Sequence, residues 1–250
     1  MGKNIPRVTM GDGSLRHAPA FSRNIEDLLQ KHGEMESSEL LLDMIEEVFP
    51  GRIAVGTSFV AESAVLLDLV SRISRSTPVI FLETRKHFPD TLEYRTQLIR
   101  HLGLTDVRNQ YPDTTDIESC DPNGELYEVN PDECCHIRKV LPLEKALLPF
   151  EAWVTGRKRF QSESRTRLDA IEFDETHIKI NPLASWDMDR VSDYLKDRGL
   201  PRHPLVELGY PSIGCAPCTR AIREGESLRD GRWSDRTKTE CGIHKVTEGR

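Results

Sequence analysis

Apolar residues along this chain change their spacing several times, and each change marks an expected element. From Asn24 to Phe49 they recur at helical intervals (Ile25, Leu28, Leu29, then Leu41, Met44, Ile45, Val48), which predicts two short packing helices broken near Gly33. The period then collapses. Arg52 to Ser58 is a short apolar run ending in small hydroxylated residues, and Glu62 to Ile73 follows as a mostly buried helix. Pro78 to Thr84 reads as a second buried strand, Pro89 to Leu102 as a helix with Pro89 and Asp90 at its start, and Asp106 to Gln110 as a third strand. Tyr111 to Pro131, rich in Asp, Asn, Pro and Gly, reads as a polar loop. Cys134 and Cys135 open an amphipathic helix running to about Leu148. Ala152 to Thr155 is a further strand, and Ala170 to Ile180 a hairpin turning at Asp174 and Glu175. Asp187 to Arg198 is a helix begun by Ser185 or Asp187 and stopped at Gly199.

Strands alternating with helices of this length predict an α/β fold, a parallel twisted sheet with flanking helices. With no repeat, low-complexity segment or linker, the expected division is a flexible lead-in (1–23), one α/β domain (24–226) and a mobile C-terminal tail (227–250). Ligands of such sheets sit at the carboxyl ends of the strands, where Thr57, Ser58 and Thr84 fall. A strand, a turn of small residues and a helix can present helix-start N–H groups to a phosphate, and Thr57, Ser58 and Ser63 add hydroxyls. Alone, that signal is weak. Residues 156–167 carry five basic side chains against Glu163, again at a strand's carboxyl end; a solvated basic loop is the alternative.

Composition narrows the classes. A chain of 250 residues can bury a core without disulfides, and its net charge of −7 argues against a general nucleic-acid binder. Local basic clusters in an acidic protein suit a small anion instead. No apolar run approaches membrane-spanning length and the N-terminus lacks a signal-peptide stretch, so a cytoplasmic protein is expected. In that compartment cysteines more often bind metal or react than form disulfides.

Five of the six cysteines carry the candidate chemistry. Cys215 and Cys218 have the C-x-x-C spacing that grips a metal centre, and Cys134 with Cys135 completes a set of four. On spacing alone, zinc, an iron–sulfur cluster and coincidence all remain open. Adjacent helical residues diverge by about 100°, which modestly favours a larger cluster over a single ion. Cys241 stands apart near Lys238, His244 and Lys245, a setting that favours a reactive thiolate; an inert thiol is the alternative. Arg220, Arg223, Arg229, Arg232 and Arg236 lie between, suited to gripping an anion. Cys120 reads as incidental, and His136 and His203 as ordinary.

Several segments together carry a family resemblance. TSFVAES, FLETRKHFPDTLEYR, CCHIRKVLPL, WVTGRKRFQSESR, KINPLASW, GYPSIGCAPCTR and KTECGIHK follow one another from about Arg52 to Lys245. In that order they resemble the assimilatory adenylyl-sulfate (APS) reductases. These lie within the wider family of phosphoadenylyl-sulfate (PAPS) reductases and adenine-nucleotide α-hydrolase-like proteins. The resemblance implies a 4Fe–4S cluster on Cys134, Cys135, Cys215 and Cys218, with Cys241 as nucleophile. It also implies Lys139 between cluster and sulfate, and Arg165, Arg229, Arg232 and His244 on the phosphosulfate. Val60 and Arg85 depart from the pattern, standing where relatives usually have glycine.

The implied activity is reduction of adenylyl sulfate to sulfite and AMP through an S-sulfocysteine on Cys241. Cys120 lies in a distant loop and there is no room for a fused dithiol domain, so thioredoxin or glutaredoxin is the expected reductant. No nucleic acid or membrane partner is expected, and a homo-oligomer is left open. The alternatives are a PAPS-preferring or dual-specificity reductase, and a zinc-stapled ATP-pyrophosphatase-like nucleotide-binding protein in which Cys241 is inert.

Overall fold

The computed structural model describes residues 18–234 and 236–244, with side chains from residue 25 onward except 164. Most of the expected lead-in (1–17) and residues 245–250 of the tail, including Lys245, lie outside the described residues. Six strands occur among the described residues: β1 (Ile53–Thr57), β2 (Val79–Leu82), β3 (Val107–Gln110), β4 (Ala152–Val154), β5 (Ile171–Phe173) and β6 (Ile178–Ile180). They form one sheet in the order β3-β2-β1-β4-β6-β5. Every pair is parallel except the β5–β6 hairpin at one edge.

The continuous apolar runs are explained by burial on both faces. Ile53, Val55, Val79, Phe81, Ala152, Val154, Ile178 and Ile180 pack into the larger core, while the alternating Ala54, Ile80 and Trp153 join a smaller one. The larger face is covered by α1 (Ala18–His32), α2 (Ser37–Leu42), α3 (Ser63–Ile73) and α4 (Pro89–Leu102). α1 thus begins inside the segment expected to be a lead-in. Beyond β3 the chain departs from expectation: the polar loop contains α5 (Thr114–Cys120) and α6 (Leu126–Val129). Neither buries a residue, so no apolar period announces them. Polar caps hold them instead, with Asp113 accepting from the Thr115 N–H and Asp121 from the Leu126 N–H, each at 2.8 Å.

The expected long helix from Cys134 is three pieces: α7 (Pro131–Cys135), a wide π turn (His136–Val140) and α8 (Leu141–Leu147), which covers the smaller core. Pro142 supplies a cause, since it has no N–H for a carbonyl one turn back, and a wider turn relieves its ring clash. α9 (Met188–Asp197) packs Val191 and Leu195 on the larger core, and Gly199 at φ 58° ends that segment. α10 (Pro204–Glu207) follows, its preceding His203 buried and bonded to Thr91 at 3.0 Å, hence a packing residue.

The beginning of the expected tail is stitched to the C-x-x-C segment. The Arg220 N–H donates to the Gly231 carbonyl at 2.8 Å, and the Trp233 N–H to the Cys218 carbonyl at 3.2 Å. Trp233 is buried.

Candidate active site

The carboxyl ends of β1, β2 and β4 open into a cavity of about 220 Å³. It lies where the strand order reverses, since β1 runs on to β2 on one side and has β4 on the other. Thr57 and Ser58 line it from the end of β1, Lys139 from the π turn, and Arg165 from the segment after β4. Arg229, Arg232, Cys241 and His244 enter from the tail. Thr84 does not line this cavity. It is fully buried, its hydroxyl 3.3 Å from the Cys215 sulfur and its carbonyl accepting from Arg138 at 2.9 Å.

The loop after β1 is braced by its own hydroxyls. Thr57 Oγ1 accepts from the Phe59 N–H at 3.2 Å, and Ser63 Oγ from the Val60 N–H at 2.9 Å. Those two N–H groups are therefore used within the loop, and the left-handed backbone of the loop falls at Phe59 (φ 49°). Val60 is not in the left-handed region, so its branched side chain adds no such strain to the loop. Arg85 differs: at φ 58° it holds a glycine-like conformation with an exposed side chain.

The cavity's cations come from three elements. Arg232 stacks on Trp233 with its guanidinium 4.3 Å from the ring centroid, and its Nε is buried without a partner. Gly214 permits that placement, because a Cβ there would lie 2.2 Å from Arg232 Nη2. His244 stacks flat on Trp153, centroids 5.9 Å apart and planes 3° apart, and its Nδ1 is also buried without a partner. Burial, then the charges of Arg157, Arg165, Lys179 and Arg229, hold the His244 ring well below the ordinary histidine range, hence neutral. Buried nitrogens without a partner on two residues lining a cationic cavity suit an anionic ligand.

Glu240 is a residue the sequence reading passed over. Its carboxylate takes two hydrogen bonds from Arg165, Nε and Nη2 each at 2.8 Å, and a longer one from Arg229 Nη2 at 3.3 Å. Burial opposes its charge, yet those arginines prevail and hold it below the usual carboxylate range. Also missed were Trp153 and Gln161; Lys158 sat in the cationic segment without being singled out. Lys158 is buried against Glu62, the residue preceding α3.

Behind the cavity, Cys134, Cys135, Cys215 and Cys218 line a second, shared cavity with Arg138, Lys139 and Trp233. All six cysteines are free thiols. Burial, then the neighbouring Cys135, pushes Cys134 up to about 11, while burial also raises Cys135 and Cys218. Cys215 goes the other way: burial opposes its charge, but Lys139 and the Thr84 hydroxyl hold it below the ordinary thiol range. Burial likewise opposes the Lys139 charge, and Cys215, Cys241 and Cys135 together hold it above the ordinary lysine range. Lys139, Cys215 and Trp233 line both cavities, so one wall joins them. Cys120 is exposed at the end of α5 and lines neither cavity, and His136 is exposed.

Residues 52–221 match the family described as the phosphoadenosine phosphosulfate reductase domain. The chain belongs to that family. A Mesorhizobium japonicum protein named adenosine 5'-phosphosulfate reductase is 45% identical over 213 residues, covering 85% of this chain and 84% of that one. One of the same name from Oceanobacillus iheyensis is 39% identical over 214 residues, covering 84% and 89%. The phosphate complex of a PAPS reductase from Candida auris superposes with a TM-score of 0.65 at 29% identity, over 83% of this chain and 98% of that one. An FMN adenylyltransferase from Candida glabrata shares the fold alone, with a TM-score of 0.52 at 12% identity over 91% and 86%. The sheet with its flanking helices is therefore the adenine-nucleotide α-hydrolase-like fold expected from sequence. The family match ends before Arg229, Arg232, Cys241 and His244, so their place in the cavity is an independent observation. No helix among the described residues is long and apolar enough to cross a membrane.

Proposed function

We propose that this protein reduces adenylyl sulfate to sulfite and AMP, with Cys241 as nucleophile and a thioredoxin or glutaredoxin as reductant. The observation that carries the reading is the meeting of Cys241 with Thr57, Ser58, Lys139, Arg165, Arg229, Arg232 and His244 in one cavity at the strand-order reversal. A nucleotide lies along the strand ends with its phosphosulfate toward the cations. The Cys241 thiolate attacks the sulfate sulfur; an S–S bond forms, the S–O bond to the phosphate breaks, and AMP leaves. That attack brings one anion toward another, and Lys139, Arg229, Arg232 and Arg165 offset the repulsion. Neutral His244 offers an N–H to the same group. One thiol of the dithiol partner then attacks Cys241 Sγ, sulfite leaves, and the partner's second thiol releases Cys241 as the partner becomes a disulfide. The two electrons come from the partner. The segment carrying Cys241 leaves the cavity for that second step.

The same reading assigns a 4Fe–4S cluster to Cys134, Cys135, Cys215 and Cys218. Two observations support the fit. The four thiols share a cavity, and Arg138 Nε and Trp233 Nε1, both from residues lining it, are buried donors without a partner. When bound, the cluster supplies electrostatic and structural support beside Lys139.

The test is an intact mass under non-reducing conditions after anaerobic incubation with adenylyl sulfate and no thioredoxin. Wild type gains one sulfo group and Cys241→Ser gains none. No adduct on protein shown to contain iron and sulfide sinks the reading for this substrate. The likeness to a PAPS reductase keeps the 3′-phosphorylated nucleotide as the second reading, decided by comparing both at equal concentration. Zinc in place of iron and sulfide sinks the cluster.

A further inference from the structure

We propose that Glu240 is a positioning residue that latches Cys241 over the anion site by gripping Arg165 and Arg229, a role that rests on the reaction proposed above. The geometry is specific. Arg165 gives Glu240 its Nε and Nη2, two parallel bonds of 2.8 Å, and Ser162 adds a hydroxyl at 3.2 Å. Arg229 Nη2 spans Glu240 and the Thr239 carbonyl, the latter at 2.8 Å, so the two residues before Cys241 are held by one guanidinium. Glu240 is mostly buried, with 16% of its side chain exposed.

The latch continues into the nucleotide loop. Arg165 Nη1 donates to Gln161 Oε1 at 2.5 Å, and Gln161 Nε2 donates to Glu62 Oε2 at 2.8 Å. Lys158 Nζ shares that Glu62 oxygen at 2.5 Å. An unbroken polar chain thus runs from the residue preceding α3 to the residue preceding Cys241. Its members Glu62, Gln161, Arg165 and Glu240 all line the cavity. A side chain that merely filled the anion site would consume the donors meant for the ligand. Glu240 leaves Arg232 Nε and His244 Nδ1, both buried, without a partner. It occupies one edge of Arg165, and the site beside it stays cationic. Lys238 paired with Asp132 and Arg236 bonded to the Glu128 carbonyl at 2.8 Å hold the approach to the latch from the other side.

The experiment compares wild type, Glu240→Gln and Glu240→Asp as full-length, metal-loaded protein. Glu240→Gln keeps shape and removes charge; Glu240→Asp keeps charge on a shorter reach. The first readout needs no substrate: the rate at which iodoacetamide labels Cys241, followed by peptide mass, with trypsin cleavage after Arg236 and Lys238 alongside. Charge-assisted bidentate pairs are strong enough that Glu240→Gln should speed labelling and cleavage by roughly tenfold, with Glu240→Asp between. The second readout is single-turnover formation of the sulfo adduct, expected to slow by about tenfold while AMP affinity stays within about twofold of wild type. Gln161→Leu should speed labelling in the same direction by a smaller factor. Labelling rates unchanged in Glu240→Gln would overturn the latch. So would tighter binding of adenylyl sulfate with undiminished adduct formation, which marks Glu240 as a competitor for the site. If wild type forms no adduct, the proposed reaction fails, and the labelling comparison still decides the latch.

Discussion

Replacing Lys139 with Met keeps an unbranched stem of similar length and deletes one charge at the wall shared by the two cavities. The charge matters because sulfo transfer gathers negative charge at that wall, where Cys215, Cys241 and Cys135 already hold the ammonium protonated against burial. Two unit charges about 4 Å apart at an effective dielectric of about 20 interact by roughly 4 kcal/mol. Lys139 keeps partial exposure to solvent, so screening reduces this to about 2–3 kcal/mol. At about 1.36 kcal/mol per tenfold, adduct formation in Lys139→Met should slow by roughly 30- to 150-fold. The assay is single-turnover formation of S-sulfocysteine, quenched and read by intact mass, with iron, sulfide and AMP affinity measured on the same preparation. Iron and sulfide should fall far less than the rate. A rate loss below threefold would refute the electrostatic role. Equal loss of iron and rate would leave Lys139 a structural residue only.

Three further outcomes are expected. Asp121 and Arg138 form a buried pair at 2.5 Å that ties α5 and α6 to the cysteine segment. Asp121→Asn keeps the acceptor for the Leu126 N–H but strands the Arg138 charge. It should cost about 3–5 kcal/mol and lower the melting temperature by roughly 10 °C; a shift under 2 °C would show the pair to be dispensable. His203 is held neutral by burial, down at about 4 in the folded protein. Its stabilisation is present above the unfolded value near 6.5 and lost as pH falls from there toward 4. Between pH 7 and 5 this removes about 2 kcal/mol, so His203→Gln should flatten the acid limb of melting temperature against pH; identical limbs would refute it. Gly214→Ala forces a methyl onto the Arg232 guanidinium and should slow adduct formation about tenfold while metal content holds, with wild-type kinetics counting against the placement of Arg232.

The sheet was legible because its strands are buried on both sides and write unbroken apolar runs, with capped, amphipathic helices between them. α5 and α6 were not, since nothing on them is buried and polar caps resemble loop chemistry. The cysteines and cations announced themselves by residue type and spacing. Thr84 shows where that reasoning stops. Its position at a strand's carboxyl end is right for a ligand, yet its side chain turns to Cys215 and away from the cavity. Glu240 was hidden by its sign. A carboxylate beside a nucleophile in an anion site looks like an incidental neighbour until the arginines that hold it are known. Trp153 carried no signal at all, because a tryptophan in a buried strand reads only as core.

That tryptophan has an optical consequence. The Lys179 ammonium lies 5.0 Å from the centroid of the Trp153 ring, the indole N–H donates to Asp174 at 3.0 Å, and His244 stacks flat on the ring. With His244 in place Trp153 is 2% exposed. If the Cys241 segment leaves the cavity as proposed, the indole loses its His244 cover and its emission should shift to longer wavelength. Trp186, packed in the core with Tyr194, emits in the same spectrum, and Trp233→Phe removes the third tryptophan, which itself lines the cavity. Trp153 emission would then report, without any label, whether the reactive sulfur is inside the cavity or out.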